Sequence, residues 1–389
     1  MPPLSPVMQQ MRGAAAAWSV GDRAVERMRD GADIIHLGIG DPDLDTPAAI
    51  RRALTQAVEE GRTHYSPLAG EPGTRAAIAA HAERLYDVPV SPDAVAVGGG
   101  AQGALFAAML AVAAPGDEVI ILEPYYASYP AVVAGCGAVP VPVPLDPKTG
   151  YALDIARIEA AASPRTVAVL INSPGNPSGT VFAQEDLDAL VRWCRTRGLW
   201  LLSDEVYWAL TYDTTHASPL CSPDAGSHTI VINSLSKSHA MTGWRLGWSI
   251  GPPDLVAAIA DLSQALHFGI CQFVQEAAIT ALADTRSVMH HRSLFHRRRD
   301  VLIDGLLASS KLGVPRPEGG MFVLVDVSAT GLDGAAFAER LLDEAGVAVV
   351  PGFGFGQSVG HSVRVGFLCD EDRLADAARR IVRFADRLS

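Results

Sequence analysis

The middle of the chain alternates between short apolar runs and longer amphipathic stretches. Between about residues 73 and 250, apolar runs of four to six residues are separated by segments with helical periodicity. The runs lie at 94–97, 119–122, 167–171, 199–203, 229–232 and 245–250. Strands that are apolar at every position are buried on both faces, so this pattern predicts a parallel sheet covered by helices. In such a sheet, functional side chains gather at the carboxyl ends of the strands.

The two ends of the chain predict a second, smaller unit. An arm at 1–45 combines a short helical pattern at 21–29 with an apolar strand at 34–37. Pro47 then begins a helix at its favoured first-turn position. Residues 314–389 read as strand, helix, strand, strand, helix. We expect the arm and this last segment to form a small α/β domain that packs tightly on the sheet.

A largely helical stretch, 253–310, connects the sheet to the C-terminal segment. It contains a run rich in arginine and histidine at 290–299, and such a run usually forms the solvated face of a helix. We therefore expect these basic side chains to face solvent rather than nucleic acid.

Composition narrows the class of protein. The 389 residues carry 31 Lys and Arg against 43 Asp and Glu, a net charge of −12, which disfavours nucleic acid or anionic membrane as a partner. The longest apolar stretch, 104–114, is too short to span a bilayer. Five scattered cysteines without a C-x-x-C pair predict no disulfide framework and no metal site, and favour a reducing, cytoplasmic location. The low charged fraction, 19%, indicates that a partner covers part of the surface.

A lysine in a loop of small hydroxyl residues is the strongest candidate for chemistry. Lys237 follows a buried-looking strand within Asn-Ser-Leu-Ser-Lys-Ser-His-Ala-Met-Thr-Gly-Trp-Arg, residues 233–245. Lysine forms Schiff bases with carbonyl compounds when its surroundings favour the neutral amine. Ser234, Ser236 and Arg245 are suited to donate hydrogen bonds to a phosphate. A polar loop with a solvated lysine is the alternative.

Four further segments add weaker indications. Asp204 ends an apolar strand. It is either the partner of a protonated ring nitrogen or the N-cap of a helix. Asn176 lies in the turn-rich segment 172–179, and Gly100 begins a helix whose first amides can cradle a phosphate, although neither nucleotide motif matches. Arg364 interrupts a strand. It either binds a carboxylate through its planar guanidinium or faces solvent at the edge of the sheet. Together with the lysine, these are the parts expected of an enzyme that uses pyridoxal phosphate on an amino acid.

In order and spacing, these motifs resemble the fold-type I pyridoxal-phosphate aminotransferases of the class I/II family, from about Gly13 to the C-terminus. The resemblance implies a homodimer with a mixed, mostly parallel seven-stranded sheet in a large domain, 46–285. A small α/β domain would be formed by the arm, 1–45, and the C-terminal segment, 286–389.

The resemblance also implies roles around the cofactor ring. Lys237 would bind the cofactor aldehyde, and Asp204 would pair with the pyridine nitrogen. Tyr207 and Asn176 would contact the ring hydroxyl. Tyr126 would stack on the ring, at a position where relatives often carry tryptophan.

Two further sets of residues are implied for the phosphate and the substrate. The phosphate would be held by Gly100, Ala101, Gln102, Ser234, Ser236 and Arg245. Tyr65 would reach the phosphate of the neighbouring subunit. Arg364 would bind the substrate α-carboxylate, assisted by Asn176, while Gly40 and Trp18 of the arm would approach the substrate.

Substrate class follows from two departures from aspartate-type members of the family. Those enzymes bind a distal carboxylate through a lysine just after the phosphate cradle or an arginine after the catalytic lysine. Here Gln102 occupies the first position, and no Lys or Arg occurs between Leu246 and Thr285. A dicarboxylate specialist is therefore disfavoured.

The sequences of these motifs are similar to those of arginine:pyruvate transaminases and of enduracididine-type aminotransferases of peptide antibiotic pathways. We therefore expect a 2-oxo acid acceptor and an amino donor with a cationic or guanidine side chain. Its carboxylate partner would be Asp22, Asp41 or Asp43. An aminotransferase for aromatic or neutral amino acids and a cystathionine-type β-lyase are the alternatives, because they share this scaffold.

Overall fold

The computed structural model of the chain describes residues 5, 7–8 and 11–388, so part of the predicted arm lies outside the described residues. The α-helices are α1 Ser19–Arg29, α2 Ala48–Glu59, α3 Pro72–Tyr86, α4 Gly100–Val112, α5 Tyr129–Gly135, α6 Ile155–Ala161, α7 Gln184–Arg197, α8 Pro253–Leu266, α9 Gln272–Ala283, α10 Thr285–Leu306, α11 Gly334–Ala345 and α12 Glu371–Arg387. The strands are β1 Ile35–His36, β2 Val95–Gly98, β3 Glu118–Glu123, β4 Val139–Pro144, β5 Thr166–Asn172, β6 Trp200–Asp204, β7 Thr229–Ser234, β8 Gly247–Ile250, β9 Phe322–Asp326, β10 Val347–Ala348, β11 Val350–Pro351 and β12 Ser362–Gly366. None of these helices is both long and apolar enough to cross a membrane.

Seven strands form the large sheet, in the order β2-β8-β7-β6-β5-β3-β4. The pairs β3–β4, β3–β5, β5–β6 and β6–β7 are parallel, whereas β8 runs antiparallel to both β2 and β7. The mostly parallel sheet between helices predicted from the alternating pattern is therefore confirmed, and each of the six apolar runs contributes a strand.

One edge strand, β4, was absent from the predicted set. Its sequence, Val-Pro-Val-Pro-Val-Pro, has a proline at every second position, and proline removes the N–H that a central strand needs. The strand pairs only with β3, so those positions face the open edge of the sheet. A proline-rich run is compatible with a strand only at such an edge.

The parallel register brings polar residues together at one edge of the sheet. Asn172 ends β5 and is the register partner of Asp204, which ends β6. The next strand, β7, ends at Ser234, and α4 begins directly after β2. The chain therefore collects its candidate site residues where these strands end.

The two ends of the chain share one hydrophobic cluster. Val20, Ile35, Phe295, Phe337 and Phe384 all belong to it, so α1, β1, α10, α11 and α12 pack together. Strand β1 pairs in parallel with β10, and β9, β11 and β12 form a separate antiparallel sheet. The domain boundaries after residues 45 and 285 stay a prediction.

The prediction that residues 290–299 face solvent is wrong for part of that run. His291, Arg298 and Arg299 of α10 are buried. Arg299 is tolerated there because each side of its guanidinium has a partner. It pairs with Asp213 at 2.7 Å, donates to the Pro317 carbonyl at 3.0 Å and stacks on a tyrosine ring.

Replacing Arg299 with methionine should lower the free energy of unfolding by about 2 kcal/mol, because it leaves the Pro317 carbonyl and a carboxylate without their donor. A urea titration followed by far-ultraviolet circular dichroism measures this change. The matched control is Arg297→Met on the same helix, since the Arg297 side chain is 58% exposed. Equal destabilisation by the two variants would contradict a buried role for Arg299.

Candidate active site

A cavity of about 330 Å³ opens at the carboxyl ends of β5, β6 and β7. All of the predicted site residues except Gly100 and Tyr65 line it. The lining residues are Trp18, Gly40, Asp41, Ala101, Gln102, Tyr126, Tyr129, Asn172, Asn176, Asp204, Val206, Tyr207, Ser234, Ser236, Lys237, Thr242, Arg245 and Arg364. The structure thus brings side chains from both ends of the sequence into one space.

Lys237 reaches this cavity from the loop after β7. Its Nζ donates a hydrogen bond to the carbonyl oxygen of Gly40. Burial lowers the pKa of Lys237 to about 8, although the carboxylate of Asp41 works in the opposite direction. The other two lysines of the chain, Lys148 and Lys311, lie outside the cavity. A lysine with a lowered pKa provides the neutral amine that attack on a carbonyl requires.

Asp204 is buried at the end of β6 with two hydrogen bonds to its carboxylate. The hydroxyl of Tyr129 donates to Oδ2 at 2.8 Å, and the amide of Val206 donates to Oδ1 at 3.1 Å. Burial raises the pKa of Asp204 to about 6, while the Tyr129 hydrogen bond opposes that rise. No cationic side chain of the described residues forms an ion pair with it, so it is suited to a protonated ring nitrogen.

Arg245 lies beside the N-terminus of α4. Gly100 has a positive φ of 74°, and a Cβ there would come within 2.5 Å of the Arg245 Nη2. A Cβ on Gly247 would lie 2.4 Å from the carbonyl carbon of Gly100, so two glycines allow this close approach. The hydroxyls of Ser234 and Ser236 are buried beside the same cavity.

This arrangement fits a phosphate group. The N-terminus of α4 carries positive partial charge, and a guanidinium beside it is stabilised when an anion lies between them. In the described residues Arg245 donates only to backbone carbonyls, those of Thr242 at 2.7 Å and Gly99 at 3.5 Å. The guanidinium therefore retains donors for an oxyanion.

Arg364 of β12 is the most deeply buried cation of the cavity, with 1% of its surface exposed. Nη1 donates to the Asn176 Oδ1 at 3.1 Å and Nη2 to the Gly38 carbonyl at 2.7 Å. Its Nε has no hydrogen-bond partner among the described atoms, and burial lowers the pKa of Arg364 to about 10. Aromatic rings surround the guanidinium, with that of Phe322 at 4.0 Å and that of Trp18 at 5.4 Å.

A buried guanidinium without a carboxylate is costly, and a planar carboxylate is the group that satisfies it best. Nearby, the amide of Asn176 donates to the hydroxyl of Tyr207 at 3.3 Å, and both side chains are buried. Burial raises the pKa of Tyr207, so its hydroxyl stays protonated. Tyr126 adds an aromatic face to the wall, edge-on to Tyr129 at 5.7 Å.

Two predicted residues lie away from the cavity wall. Gly100 contributes through its backbone conformation beneath Arg245. Tyr65 is 78% exposed and packs against Phe268, with ring centroids 5.0 Å apart. Its hydroxyl is not directed into the cavity of its own chain, and it lines a separate surface hollow.

The three acidic candidates for a cationic substrate have different surroundings. Asp43 is held by both terminal nitrogens of Arg298, at 2.6 and 2.9 Å. Asp22 is exposed on α1 and does not line the cavity. Asp41 does line it, and it accepts a hydrogen bond from the Thr242 hydroxyl at 2.6 Å.

Sequence reasoning did not assign Tyr129, Asn172, Val206 or Thr242 to the site. Asn172 had a usable signal, because it ends β5 as Asp204 ends the neighbouring strand. Tyr129 opens α5, and its hydrogen bond to Asp204 spans 75 residues of sequence, so local pattern could not reveal it.

Comparisons with known proteins agree with this geometry. Residues 32–381 match the family described as aminotransferase class I and II. An arginine–pyruvate transaminase of Pseudomonas aeruginosa is 43% identical over 375 residues, covering 96% of this chain and 95% of the relative. An aspartate/prephenate aminotransferase of Thermus thermophilus is 39% identical over 388 residues, 99% of each chain. A solved aspartate aminotransferase structure from the same organism, with maleate, has a TM-score of 0.93 at 38% identity and covers 98% of this chain and 100% of its own.

Replacing Tyr129 with phenylalanine should raise the pKa of Asp204, because the hydrogen bond that stabilises its anionic form is lost. The expected rise is about one pH unit, since a hydrogen bond to a charged group contributes about 1.5 kcal/mol. The carboxylate then becomes protonated at a higher pH. When the solution is acidified, the cofactor-free protein should therefore lose its ability to capture pyridoxal phosphate at a higher pH than the unmodified protein does. Absorbance titrations across the acid and neutral range measure this limit. Tyr125→Phe is the control, and an unchanged acid limit in the Tyr129 variant would refute the assignment.

Proposed function

The chain belongs to the aminotransferase class I and II family, whose members depend on pyridoxal phosphate, and we propose that it takes the amino group of an amino acid with a cationic, guanidine-type side chain. A 2-oxo acid accepts the amino group. One observation carries the chemical assignment: the buried Asp204 and Arg364 and the partly buried Lys237 line the same cavity, and none of the three forms an ion pair within the described part of the chain. Each group therefore remains available to interact with a different part of a cofactor–substrate pair.

The cavity fits the cofactor at two points. The α4 N-terminus and Arg245 would hold its phosphate, together with Ser234 and Ser236. Asp204 would accept a hydrogen bond from its ring nitrogen. When bound, pyridoxal phosphate supplies an electron sink for the charge left by a broken Cα–H bond and a carbon that carries the amino group.

Lys237 acts as the proton carrier of the reaction. Its Nζ takes the proton from the substrate Cα and returns a proton later, which requires the amine to alternate between neutral and charged forms near neutral pH. Its pKa of about 8, set mainly by burial, suits that exchange. Above its pKa of about 6, Asp204 is anionic and would keep the ring nitrogen of a bound cofactor protonated.

Arg364 binds the α-carboxylate of either substrate through a bidentate pair. Asn176 and the Gly38 carbonyl hold two of its nitrogens, so the fork has a fixed orientation. A fixed carboxylate orients the Cα–H bond toward Nζ of Lys237, and such positioning contributes a large part of the rate of enzymes.

The substrate side chain faces an environment that lacks a free distal cation among the described lining residues. Gln102 stands at the cavity mouth, where its Oε1 accepts a hydrogen bond from Ser128. Asp41 also lines the cavity, and it is exposed. These two residues, and the 43% identity to an enzyme named for arginine and pyruvate, support a cationic donor over aspartate.

The exposure of Tyr65 supports a proposal for how the chain assembles. We propose a homodimer in which Tyr65 completes the phosphate site of the second copy, because the tyrosine is exposed and directed away from its own cavity. Leu266 and Phe268 add exposed apolar surface. Sedimentation velocity of the holoenzyme would return a monomer if this proposal were wrong.

Five unpaired cysteines support a reducing compartment, the cytoplasm.

The function is tested with a panel of amino donors against pyruvate and 2-oxoglutarate. We expect arginine or enduracididine to exceed phenylalanine and aspartate in kcat/KM. A preference for aspartate would reject the cationic donor, and a preference for phenylalanine would favour an aromatic aminotransferase. Release of pyruvate from cystathionine without any acceptor would identify a β-lyase.

Replacing Lys237 with alanine should lower the rate of amino transfer by several orders of magnitude, because the proton carrier is lost. Borohydride reduction of the holoenzyme followed by peptide mapping should label Lys237 alone among the three lysines. Lys311→Ala is the matched control and should retain full turnover. Labelling of Lys148 or Lys311 in the unmodified chain would contradict the assignment.

Replacing Gln102 with lysine should raise kcat/KM for aspartate relative to arginine by about tenfold, which equals about 1.4 kcal/mol of added charge pairing. Steady-state kinetics with both donors measure the ratio. Gln102→Met, of similar length without charge, separates the effect of charge from that of shape. A ratio unchanged by lysine would mean that residue 102 does not face the substrate side chain.

A further inference from the structure

One loop touches both the amine and the guanidinium of the site through its backbone. This linking loop, residues 38–46, follows β1 and precedes α2. The carbonyl of Gly38 accepts from Arg364, and the carbonyl of Gly40 accepts from Lys237. The two acceptors are only two residues apart, so the conformation of the loop constrains the separation of Arg364 and Lys237.

The linking loop is fixed to the lysine side of the cavity by side-chain hydrogen bonds. The hydroxyl of Thr242 donates to Asp41 at 2.6 Å. Thr46 donates to the Ala240 carbonyl at 2.6 Å and accepts from the indole nitrogen of Trp244 at 3.0 Å. All of these contacts join the linking loop to the segment just after Lys237. We therefore expect the loop to move together with that segment.

The other attachment is an ion pair with a helix that does not line the cavity. Asp43 receives both terminal nitrogens of Arg298, at 2.6 and 2.9 Å. The Arg298 side chain is 6% exposed and that of Asp43 is 35% exposed. Arg298 belongs to α10, which shares the hydrophobic cluster of β12, the strand of Arg364. The bidentate geometry fixes both the distance and the angle between loop and helix.

We propose that the ion pair between Arg298 and Asp43 positions the linking loop, and that the loop thereby sets the spacing between Arg364 and Lys237. The inference rests on the proposed function, because the spacing matters only if these two residues bind a carboxylate and move a proton. Neither Arg298 nor Asp43 touches the reacting atoms. Both act through the backbone carbonyls of Gly38 and Gly40.

This arrangement has a kinetic signature that a merely structural ion pair lacks. The loop contacts the groups that bind the α-carboxylate and the α-proton, which every amino acid shares. Disturbing it should therefore reduce the efficiency of every donor by a common factor, and leave the order of preference among donors unchanged. A misplacement of about 1 Å is sufficient for a loss of about 100-fold.

The test compares three variants of the holoenzyme. Asp43→Asn keeps the shape of the side chain without its charge, Arg298→Met removes the donors, and Arg298→Lys restores the charge without the planar fork. The matched control is Asp33→Asn, which removes the partner of Arg373 and Arg380 at an exposed site of the same N-terminal segment. Amide hydrogen exchange of residues 38–46 and kcat/KM for each donor are measured on every variant.

We expect faster exchange in 38–46 and a fall in kcat/KM of about 10- to 100-fold, equal across donors, for Asp43→Asn and Arg298→Met. Arg298→Lys should recover part of both, and Asp33→Asn should match the unmodified chain. Unchanged exchange in 38–46, or a factor that differs between donors, would overturn the proposal even if thermal stability fell. If no donor reacts in the unmodified chain, the proposed function fails, while the exchange result still decides whether the ion pair holds the loop.

Discussion

Desolvation of three ionisable groups in one cavity is the constraint on which the site depends. Asp204 and Arg364 are taken out of water and Lys237 is partly so, and burial shifts the pKa of each toward its neutral form. Isolated buried charges are expensive, so a chain keeps them only where something else completes their interactions. The fold meets this cost locally with hydrogen bonds from Tyr129 and to Gly38 and Gly40. Those bonds hold the groups in place without neutralising them.

Much of this architecture follows from the linear pattern of residues. Apolar runs identified the strands, and their parallel arrangement implied that residues ending them would meet. Lys237, Asp204 and Asn176 all follow such runs, so their convergence at one edge was predictable. Arg364 was a weaker expectation, because one arginine in a strand has the same local appearance whether it faces solvent or a cavity.

Other features depend on contacts that no local pattern encodes. Asp204 and Tyr129 lie 75 residues apart, and Arg298 and Asp43 lie 255 apart. The run 290–299 was expected at the surface because its composition is basic, yet the partners that stabilise Arg298 and Arg299 come from distant loops. Strand β4 was hidden by its prolines, which are acceptable only because the strand has a single neighbour. In each case the missing information was the identity of a partner in space.

The scarcity of lysine has a practical consequence for spectroscopy. Lys148, Lys237 and Lys311 are the lysines of the chain, and the other 28 of its 31 Lys and Arg residues are arginines. Labelling the lysine Nζ atoms alone with nitrogen-15 would give a magnetic resonance spectrum with three side-chain amine signals. Two of them report sites away from the cavity and serve as internal references. The third follows the protonation of the buried amine directly, in a protein whose size would otherwise crowd such a spectrum.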